Sequence, residues 1–330
     1  MKRIPLPPAR TVTESAAVGD LLPQRPLGPA QTAEERPRHL FHPRRGWIRL
    51  AERETSHLLS RHVYPWVPGA RRPYSRALVR GLTLSEGTVE LAGLPAAFEG
   101  LRLLLVTDVH AGPFLEAAAL KRTFERLAAL APDAVLLGGD LATSRVAEFL
   151  ETREAYAALR TPLGTYAVLG NHDHYTGEPA ILRAALEAAG IAVLHNRSVV
   201  LERGGAALTL AGIDDWLVGA PDLDRALEGA RGPVVLLSHH PDVFFEAARR
   251  GVALVLSGHT HGGQVRVPGL PVLVRMSRFR LDEGRYRAGS SELVVSRGLG
   301  VVGLPLRLAC PPEAVLLELR RQGSRTPTSG

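Results

Sequence analysis

Residues 101–112 read LRLLLVTDVHAG, an apolar run followed at once by Asp108 and His110. The same order recurs four more times along the chain. Apolar runs at residues 134–137, 166–169, 234–237 and 252–256 lead into GGD, GNHD, SHHP and SGHTHGG. Short apolar runs bounded in this way are typical of strands buried on both faces. The pattern therefore predicts an α/β fold with polar loops at the strand ends.

These loops carry seven candidate metal ligands. If the strands lie parallel in one sheet, their loops meet at one edge, where open α/β folds bind ligands. Carboxylate, imidazole and amide donors without a thiolate suit borderline first-row divalent ions. Seven donors are too many for one tetrahedral ion but fit two ions that share a carboxylate. The candidates are Asp108, His110, Asp140, Asn171, His239, His259 and His261.

The spacing of the donors indicates how they would work. Asp108 and His110 stand two residues apart at a strand end, so both side chains leave on the same face. Asp140 follows Gly138-Gly139, where missing side chains let the backbone come close, and it is the natural bridging carboxylate. Asn171 supplies a neutral oxygen, so bound ions would remain strong Lewis acids. The two histidines of GHTHGG can each reach a different ion.

Together the motifs DxH, GGD, GNHD, SHHP and GHTHGG, in this order, resemble those of the calcineurin-like metallophosphoesterase superfamily. GHTHGGQ followed by SRF and SRGLG is similar to its bacterial branch of membrane-associated phosphodiesterases. That branch resembles one type of UDP-2,3-diacylglucosamine pyrophosphatase of lipid A biosynthesis. The resemblance spans roughly residues 94–319 and implies a four-layer α/β/β/α sandwich with mixed sheets.

The resemblance also implies roles for individual residues. It makes Asp140 the bridge between one ion on Asp108, His110 and His261 and a second ion on Asn171, His239 and His259. His239 is preferred to His240 because branch members often read SHNP, but the choice between the two histidines stays open. His172 resembles the family histidine that protonates the leaving oxygen, and Asp173 is a candidate to orient its ring.

The chemistry of paired ions predicts the reaction. Ions about 3.5–4 Å apart lower the pKa of a bridging water, and the resulting hydroxide attacks phosphorus in line. The ions also stabilise the charge that develops on the phosphoryl oxygens. We therefore predict a two-metal phosphohydrolase of a phosphodiester or pyrophosphate, with a lipid- or nucleotide-sugar-linked substrate as one option. The donors suit manganese, iron and zinc alike.

Residues 1–82 differ in composition from the remainder. They hold 15 Lys and Arg against 6 Asp and Glu, whereas residues 83–330 hold 25 against 27. Prolines without periodicity predict that residues 1–43 are mostly disordered. Residues 47–62 fit a basic amphipathic helix. We therefore divide the chain into a basic leader, residues 1–82, and a catalytic domain, residues 83–330.

The basic leader predicts a peripheral contact with an anionic membrane. A solvated tail without a partner is the alternative. Arg44-Arg45 resembles an export signal, but charged residues follow where an apolar segment should begin. Because no apolar run is long enough to span a bilayer, we expect a cytoplasmic protein, with the inner membrane face as an option. The single cysteine excludes an internal disulfide.

Two other functions remain open. A nuclease or cyclic-nucleotide phosphodiesterase would use the same ions, but the near-neutral balance of residues 83–330 disfavours nucleic acid as a partner. A non-catalytic protein that binds lipid or nucleic acid would have lost its metals, although every ligand is present. Arg278 of SRF and Arg297 of SRGLG are candidate substrate contacts, and surface ion pairs explain them nearly as well. The sequence does not indicate the oligomeric state.

Periodicity predicts further elements around these motifs. Helices are expected at residues 115–130, 148–159 and 179–189. Residues 82–94 resemble a hairpin that turns at Glu86-Gly87, and a second hairpin is expected around Gly204-Gly205. Short strands are expected at residues 292–296 and 314–319. The sheet is therefore expected to be mixed, or doubled into two sheets between helices.

Overall fold

The computed structural model describes residues 1–14, 58, 62–63, 71–268, 272 and 275–323. Within them, strands form two mixed sheets of seven strands each. In spatial order the first sheet contains β1 (Lys2–Pro5), β3 (Thr83–Leu91), β14 (Glu313–Arg321), β4 (Arg102–Val106), β5 (Ala134–Gly138), β6 (Thr165–Val168) and β7 (Ala192–Val193). The second contains β2 (Arg10–Thr11), β12 (Gly284–Ala288), β13 (Ser291–Val295), β11 (Leu254–Ser257), β10 (Val234–Leu237), β9 (Ala206–Gly212) and β8 (Arg197–Arg203).

Helices pack on the outer faces of both sheets. Leu78, Phe124 and Phe149 from three helices lie in the core on the outer side of the first sheet. Phe244 lies in the corresponding core of the second sheet. The α-helices of the described residues are α1 (Arg71–Gly81), α2 (Ala117–Ala128), α3 (Val146–Thr152), α4 (Asn171–Tyr175), α5 (Pro179–Ala188), α6 (Leu223–Leu227) and α7 (Phe244–Arg249).

Alternation along the central strands produces the layers. In β4, Leu104 and Val106 face the helices, while Leu103 and Leu105 face the other sheet. All four side chains are fully buried, as expected for a strand covered on both faces. Burying a leucine or valine stabilises the fold by about 1.5–3 kcal/mol. The result is the predicted α/β/β/α sandwich.

The five apolar runs that precede the polar motifs are all strands, as predicted. They do not share one sheet, however, because β4, β5 and β6 are parallel neighbours in the first sheet while β10 and β11 are parallel neighbours in the second. The three predicted helices and the hairpin of β8 and β9 are also confirmed. Residues 148–159 divide into the end of α3 and a 3-10 helix, Arg153–Leu159.

The predicted hairpin at residues 82–94 is wrong. This segment is one nine-residue strand, β3, that continues through Glu86-Gly87. It pairs in parallel with β14 on one side and with β1 on the other, so both edges of the strand are satisfied without a turn. A Cβ on Gly87 would lie 3.0 Å from Leu6 Cβ. The glycine therefore marks a close approach of the N-terminal segment and not a turn.

The beginning of the predicted leader is ordered, which corrects the expectation of disorder for its first residues. Strand β1 adds to the edge of the first sheet beside β3, and β2 adds to the edge of the second beside β12. Helix α1 buries Tyr74 and Leu78 in the core of the first sheet. Composition could not predict these two strands, because an edge strand forms only by pairing with a strand far along the chain. The amphipathic helix expected at residues 47–62 lies outside the described residues apart from isolated positions.

Candidate metal centre

Loops from both sheets meet at the ends of the parallel strands. The amide of Asp108 donates to the carbonyl of Gly139 over 2.9 Å, which joins the loops after β4 and β5. The amide of Gly258 donates to the carbonyl of His239 over 3.0 Å, which joins the loops after β10 and β11. His239 Nδ1 lies 2.8 Å from the carbonyl of Gly138 and so connects the two sheets. The seven candidate ligands all lie on these loops or at the start of α4.

One group of donors combines the first motif with the last. Asp108 Oδ1 lies 3.4 Å from His261 Nε2, and His110 Nε2 lies 3.1 Å from the same atom. All three side chains are buried. Their donor atoms lie within 4.8 Å of one another, which is a separation that one cation can span. His110 and His261 are 151 positions apart in sequence and are brought together by the two sheets.

A second group lies beside the first. Asn171 Oδ1 lies 2.9 Å from His259 Nδ1 and 3.2 Å from His239 Nε2. Because His239 Nδ1 donates to a backbone carbonyl, its Nε2 is free of a proton in the neutral ring and faces the other donors. His240 instead accepts a hydrogen bond at Nδ1 from the amide of Asp242, over 3.2 Å. The geometry thus favours His239 over His240 as a ligand.

Asp140 lies between the two groups. Its Oδ2 is 3.5 Å from His110 Nε2 and 3.2 Å from His239 Nε2. Buried nitrogen and oxygen lone pairs at such distances repel one another unless a proton or a cation lies among them. The donor set is the oxygen and nitrogen mixture that first-row divalent ions prefer. The residues present therefore fit divalent metal binding.

Burial and charge set the protonation of these groups. Burial lowers the pKa of His110 to about 3 and holds the pKa values of His259 and His261 well below the usual range. Although burial lowers it, the Asp140 carboxylate raises the pKa of His239 to about 10. The rings of His110, His259 and His261 are thus neutral at pH 7, which is the form that binds metal. A cation near Asp140 would replace the proton that His239 carries in its absence.

The backbone of the ligand loops is strained. The φ angles of Asp108, His110, Asp140, His259 and His261 are 50°, 46°, 53°, 70° and 50°. Positive φ is uncommon for residues other than glycine and costs about 1–3 kcal/mol at each position. Five such residues in one site indicate that the fold maintains the strain because the side chains must point inward from tight turns.

Glycines allow the loops to approach this closely. A Cβ on Gly139 would lie 2.7 Å from His239 Nδ1, and a Cβ on Gly258 would lie 2.3 Å from Asp108 Oδ2. Real Cβ atoms do not approach other heavy atoms to that extent, so any side chain at these positions would displace a ligand. The interpretation of Gly138-Gly139 as a site of close approach agrees with this geometry.

His172 differs from the seven candidate ligands because its side chain is partly exposed, although it also offers a donor atom within 4.8 Å of donors from His110 and Asp140. Its amide donates to Asp140 Oδ1 over 2.8 Å, and its Nδ1 lies 2.8 Å from the carbonyl of Thr143. With Nδ1–H donating to Thr143, the lone pair of the neutral ring lies on Nε2. The sequence could not predict the contact with Thr143, because every residue has a backbone carbonyl.

Asp173 does not orient the His172 ring, contrary to expectation. Its Oδ1 accepts from the amides of Leu141 and Ala142, each over 2.9 Å, and its Oδ2 accepts from the amide of Gly170 over 3.0 Å. The carboxylate therefore caps the start of α4 and ties it to the loop that carries Asp140.

The two candidate arginines have separate environments. Arg297 is largely buried and pairs with Glu313 over 2.9 Å. Arg278 is exposed, and its amide donates to Asp242 Oδ2 over 2.9 Å. A third arginine, which sequence reasoning missed, lies closer to the ligands: Arg307 Nη2 is 3.2 Å from His261 Nδ1. No motif surrounds Arg307, so only its position in the fold reveals it.

A histidine–aspartate pair joins α4 to the loop after β9. His174 Nε2 lies 2.8 Å from Asp214 Oδ1, whose other oxygen accepts from the amide of Ala220 over 2.7 Å. Although burial lowers it, the hydrogen bond to Asp214 raises the pKa of His174 above its usual value of 6.5. Although burial raises it, His174 lowers the pKa of Asp214 to about 2. Both groups are charged near pH 5.5.

Asp214→Asn is therefore expected to lower the free energy of unfolding by about 1–3 kcal/mol near pH 5.5, the range for a hydrogen bond between charged groups. The contribution of protonated His174 to the free energy of unfolding is complete below pH 6.5, and it is lost as the pH rises through the raised pKa of His174. Urea unfolding with a chelator present should thus show a smaller penalty at high pH. An equal penalty at both pH values would contradict this assignment.

The fold and the site agree with a known class. A family model described as calcineurin-like phosphoesterase matches residues 101–263. The chain is 32% identical over 263 residues to an uncharacterized metallophosphoesterase of Aquifex aeolicus, across 76% of this chain and 97% of that protein. The chain belongs to the calcineurin-like metallophosphoesterases and is a metal-dependent phosphoester hydrolase.

Two further relatives carry more specific names. The chain is 31% identical over 226 residues to "Phosphodiesterase YaeI" of Escherichia coli, across 66% of this chain and 82% of that protein. It is 35% identical over 243 residues to "Transmembrane protein with metallophosphoesterase domain" of Danio rerio, across 69% of this chain and 55% of that protein. The chain thus spans about half the length of the zebrafish relative. Among the described residues, no helix combines the length and apolar character needed to cross a bilayer.

Proposed function

We propose that this phosphoesterase holds two divalent ions and cleaves a phosphodiester or pyrophosphate bond. The observation that carries the proposal is the position of Asp140 Oδ2, 3.5 Å from His110 Nε2 and 3.2 Å from His239 Nε2. Three further donors lie on each side of this carboxylate. Asp108, His110 and His261 would hold one ion, and Asn171, His239 and His259 would hold the other. Manganese, iron and zinc all suit these donors.

Each group of the chain has a distinct task in this proposal. Bound divalent ions would act as Lewis acids and lower the pKa of a shared water. His172 would hold a proton at Nε2 for the leaving oxygen, since the Thr143 carbonyl fixes its Nδ1–H. Asp173 would keep α4, and with it His172, in position. Arg278 and Arg297 would contact a second anionic group of the substrate, and the ion pair with Glu313 would hold the Arg297 guanidinium in place.

The substrate would be a phosphodiester or pyrophosphate linked to a lipid or to a nucleotide sugar. The name of the Escherichia coli relative supports a diester. The basic composition of residues 1–82 supports a substrate presented at an anionic membrane, on its cytoplasmic side. A UDP-diacylglucosamine pyrophosphatase of lipid A biosynthesis would meet the second condition and would cleave the pyrophosphate bond that the proposed class includes.

Chelation and metal replacement test the proposal directly. We expect chelated protein to lose hydrolysis of bis(p-nitrophenyl) phosphate and to regain it with manganese, zinc or iron(II). Metal analysis of the most active form should give two ions per chain. One ion per chain at full activity, or hydrolysis of the monoester alone, would contradict the proposal.

A substrate panel then separates the alternatives. Lipid-linked pyrophosphates, cyclic nucleotides and single-stranded nucleic acid should be compared under the same metal. Preference for a lipid-linked pyrophosphate or diester would support the proposed class. Preference for nucleic acid would identify a nuclease, and metal-loaded protein without any hydrolysis would favour a binding protein.

A further inference from the structure

An exposed apolar loop lies beside the candidate metal centre. Among the described residues, nine large hydrophobic side chains are exposed, and four of them occur in two adjoining segments. Leu304, Leu306 and Leu308 are 59%, 51% and 50% exposed, and Val267 is 42% exposed. We call residues 302–308 the leucine loop. Apolar side chains that are clustered and exposed in this way mark an interaction surface.

The leucine loop has a defined shape. The side-chain amide of Gln264 donates to the carbonyls of Val302 and Leu304 over 3.0 and 3.1 Å, and its Oε1 accepts from the amide of Val302 over 2.9 Å. The amide of Leu308 donates to the carbonyl of Gln264 over 3.1 Å. Several polar groups of the loop backbone are thus hydrogen-bonded to Gln264 and do not need water, which suits a surface that enters an apolar medium.

The same contacts connect the loop to the ligands. Gln264 stands three residues after His261. Arg307, the one charged residue of the loop, turns inward: its Nη2 lies 3.2 Å from His261 Nδ1 and donates to the carbonyl of Arg297 over 2.7 Å. The leucines on either side of Arg307 are exposed. A surface that covers the leucines would therefore lie next to the metal centre.

Charge indicates what that surface is. Residues 262–281 contain four arginines, of which Arg266 pairs with Glu283 and Arg275 pairs with Asp282. Arg278 and Arg280 are exposed. The exposed leucines, together with the exposed cations of Arg278 and Arg280, complement a membrane surface with anionic headgroups and hydrocarbon below them.

We propose that the leucine loop inserts into the interface of an anionic lipid bilayer and holds the metal centre against the headgroups. This surface belongs to the catalytic fold and is distinct from the basic leader. The proposal rests on the proposed function, which places the substrate at an anionic membrane, and extends it by naming the part of the fold that enters the bilayer. Its tests do not depend on catalysis, so it can fail or succeed separately from the proposed reaction.

The first experiment removes the apolar side chains in the full chain. The variant Leu304→Gln, Leu306→Gln, Leu308→Gln keeps the backbone contacts of Gln264. Its matched control, Leu150→Gln, Ile181→Gln, Val218→Gln, changes three other exposed hydrophobic residues, with 40%, 54% and 41% exposure. We expect the loop variant to bind phosphatidylglycerol–phosphatidylcholine vesicles about tenfold more weakly or worse, and the control to bind like the unchanged chain.

Turnover of a soluble diester should be unchanged in both variants, which would show that the site is intact. Equal vesicle binding by the loop variant and the unchanged chain would overturn the proposal. If the loop variant lost only self-association, measured by sedimentation, a second copy of the chain would be the true occupant of the surface.

A second experiment detects insertion itself, even if the leader also binds vesicles. Leu306→Cys is labelled with the fluorophore NBD, while Cys310 is 1% exposed and reacts slowly. Addition of vesicles should shift NBD emission to the blue at position 306, and not at the control position Ile181→Cys. Bound protein whose label at position 306 stays in water would refute insertion.

Discussion

Asp140→Asn is expected to lower hydrolysis of a phosphodiester on the order of 10³-fold or more and to reduce the metal content of the purified protein. Asp140 Oδ2 lies between His110 and His239, and in the proposed centre its charge would balance cations on both sides. Asparagine keeps the shape of the side chain and tolerates the φ of 53° at this position. The loss of activity and of metal would therefore result from the missing negative charge and not from a change in the loop conformation. Metal analysis and kcat/KM measure the two effects.

The control for this variant makes the same chemical change on the surface. Asp224 has a side chain that is 78% exposed and pairs with Arg250. Asp224→Asn should leave both metal content and kcat/KM unchanged, because an exposed ion pair contributes little. Full activity with normal metal content in Asp140→Asn would remove the basis for the proposed two-metal centre.

His172→Ala is expected to lower kcat by roughly 10²-fold or more while metal content stays the same. The ring is not among the seven candidate ligands, and its Nδ1 is engaged by the Thr143 carbonyl 2.8 Å away. If His172 donates a proton to the leaving oxygen, the loss should depend on the leaving group. It should be large for a diester with an alkyl leaving group and small for one with p-nitrophenol, which leaves without a proton.

A positioning role for His172 would give a different pattern. Loss of position alone would slow both substrates equally, and loss of metal would show that the residue is structural. His195→Ala provides a control, since this ring is 37% exposed and lies 3.5 Å from Asp214. We expect it to change neither kcat nor the dependence on the leaving group. Partial recovery of His172→Ala by added imidazole would support proton transfer.

The candidate ligands were accessible from sequence because each follows an apolar run. A strand buried on both faces requires uninterrupted apolar residues, so the runs predicted β4, β5, β6, β10 and β11. Polar residues at their ends must then lie in loops. His239 and His240 could not be separated in this way, since adjacent residues share a loop. The contact of His239 with Gly138, 101 residues away, distinguishes them.

Other features depend on contacts between distant parts of the chain. Strand β1 exists because β3 offers a free edge, and local composition in residues 1–14 reads as disorder. The same edge explains why Glu86-Gly87 continues a strand where a turn was expected. Thr143 contacts His172 through its backbone carbonyl, which every residue has. Arg307 contacts His261 only because of where its loop lies in the fold. Neither contact has a sequence pattern.

Local patterning was enough to predict the candidate donors, the strands that carry them and the family, because apolar periodicity and motif order are properties of neighbouring residues. Packing decided three other features. It divided the five motif strands between two sheets, placed Asp140 between two groups of histidines and left the leucine loop exposed. Packing depends on which surfaces meet, and that is a property of the whole folded chain.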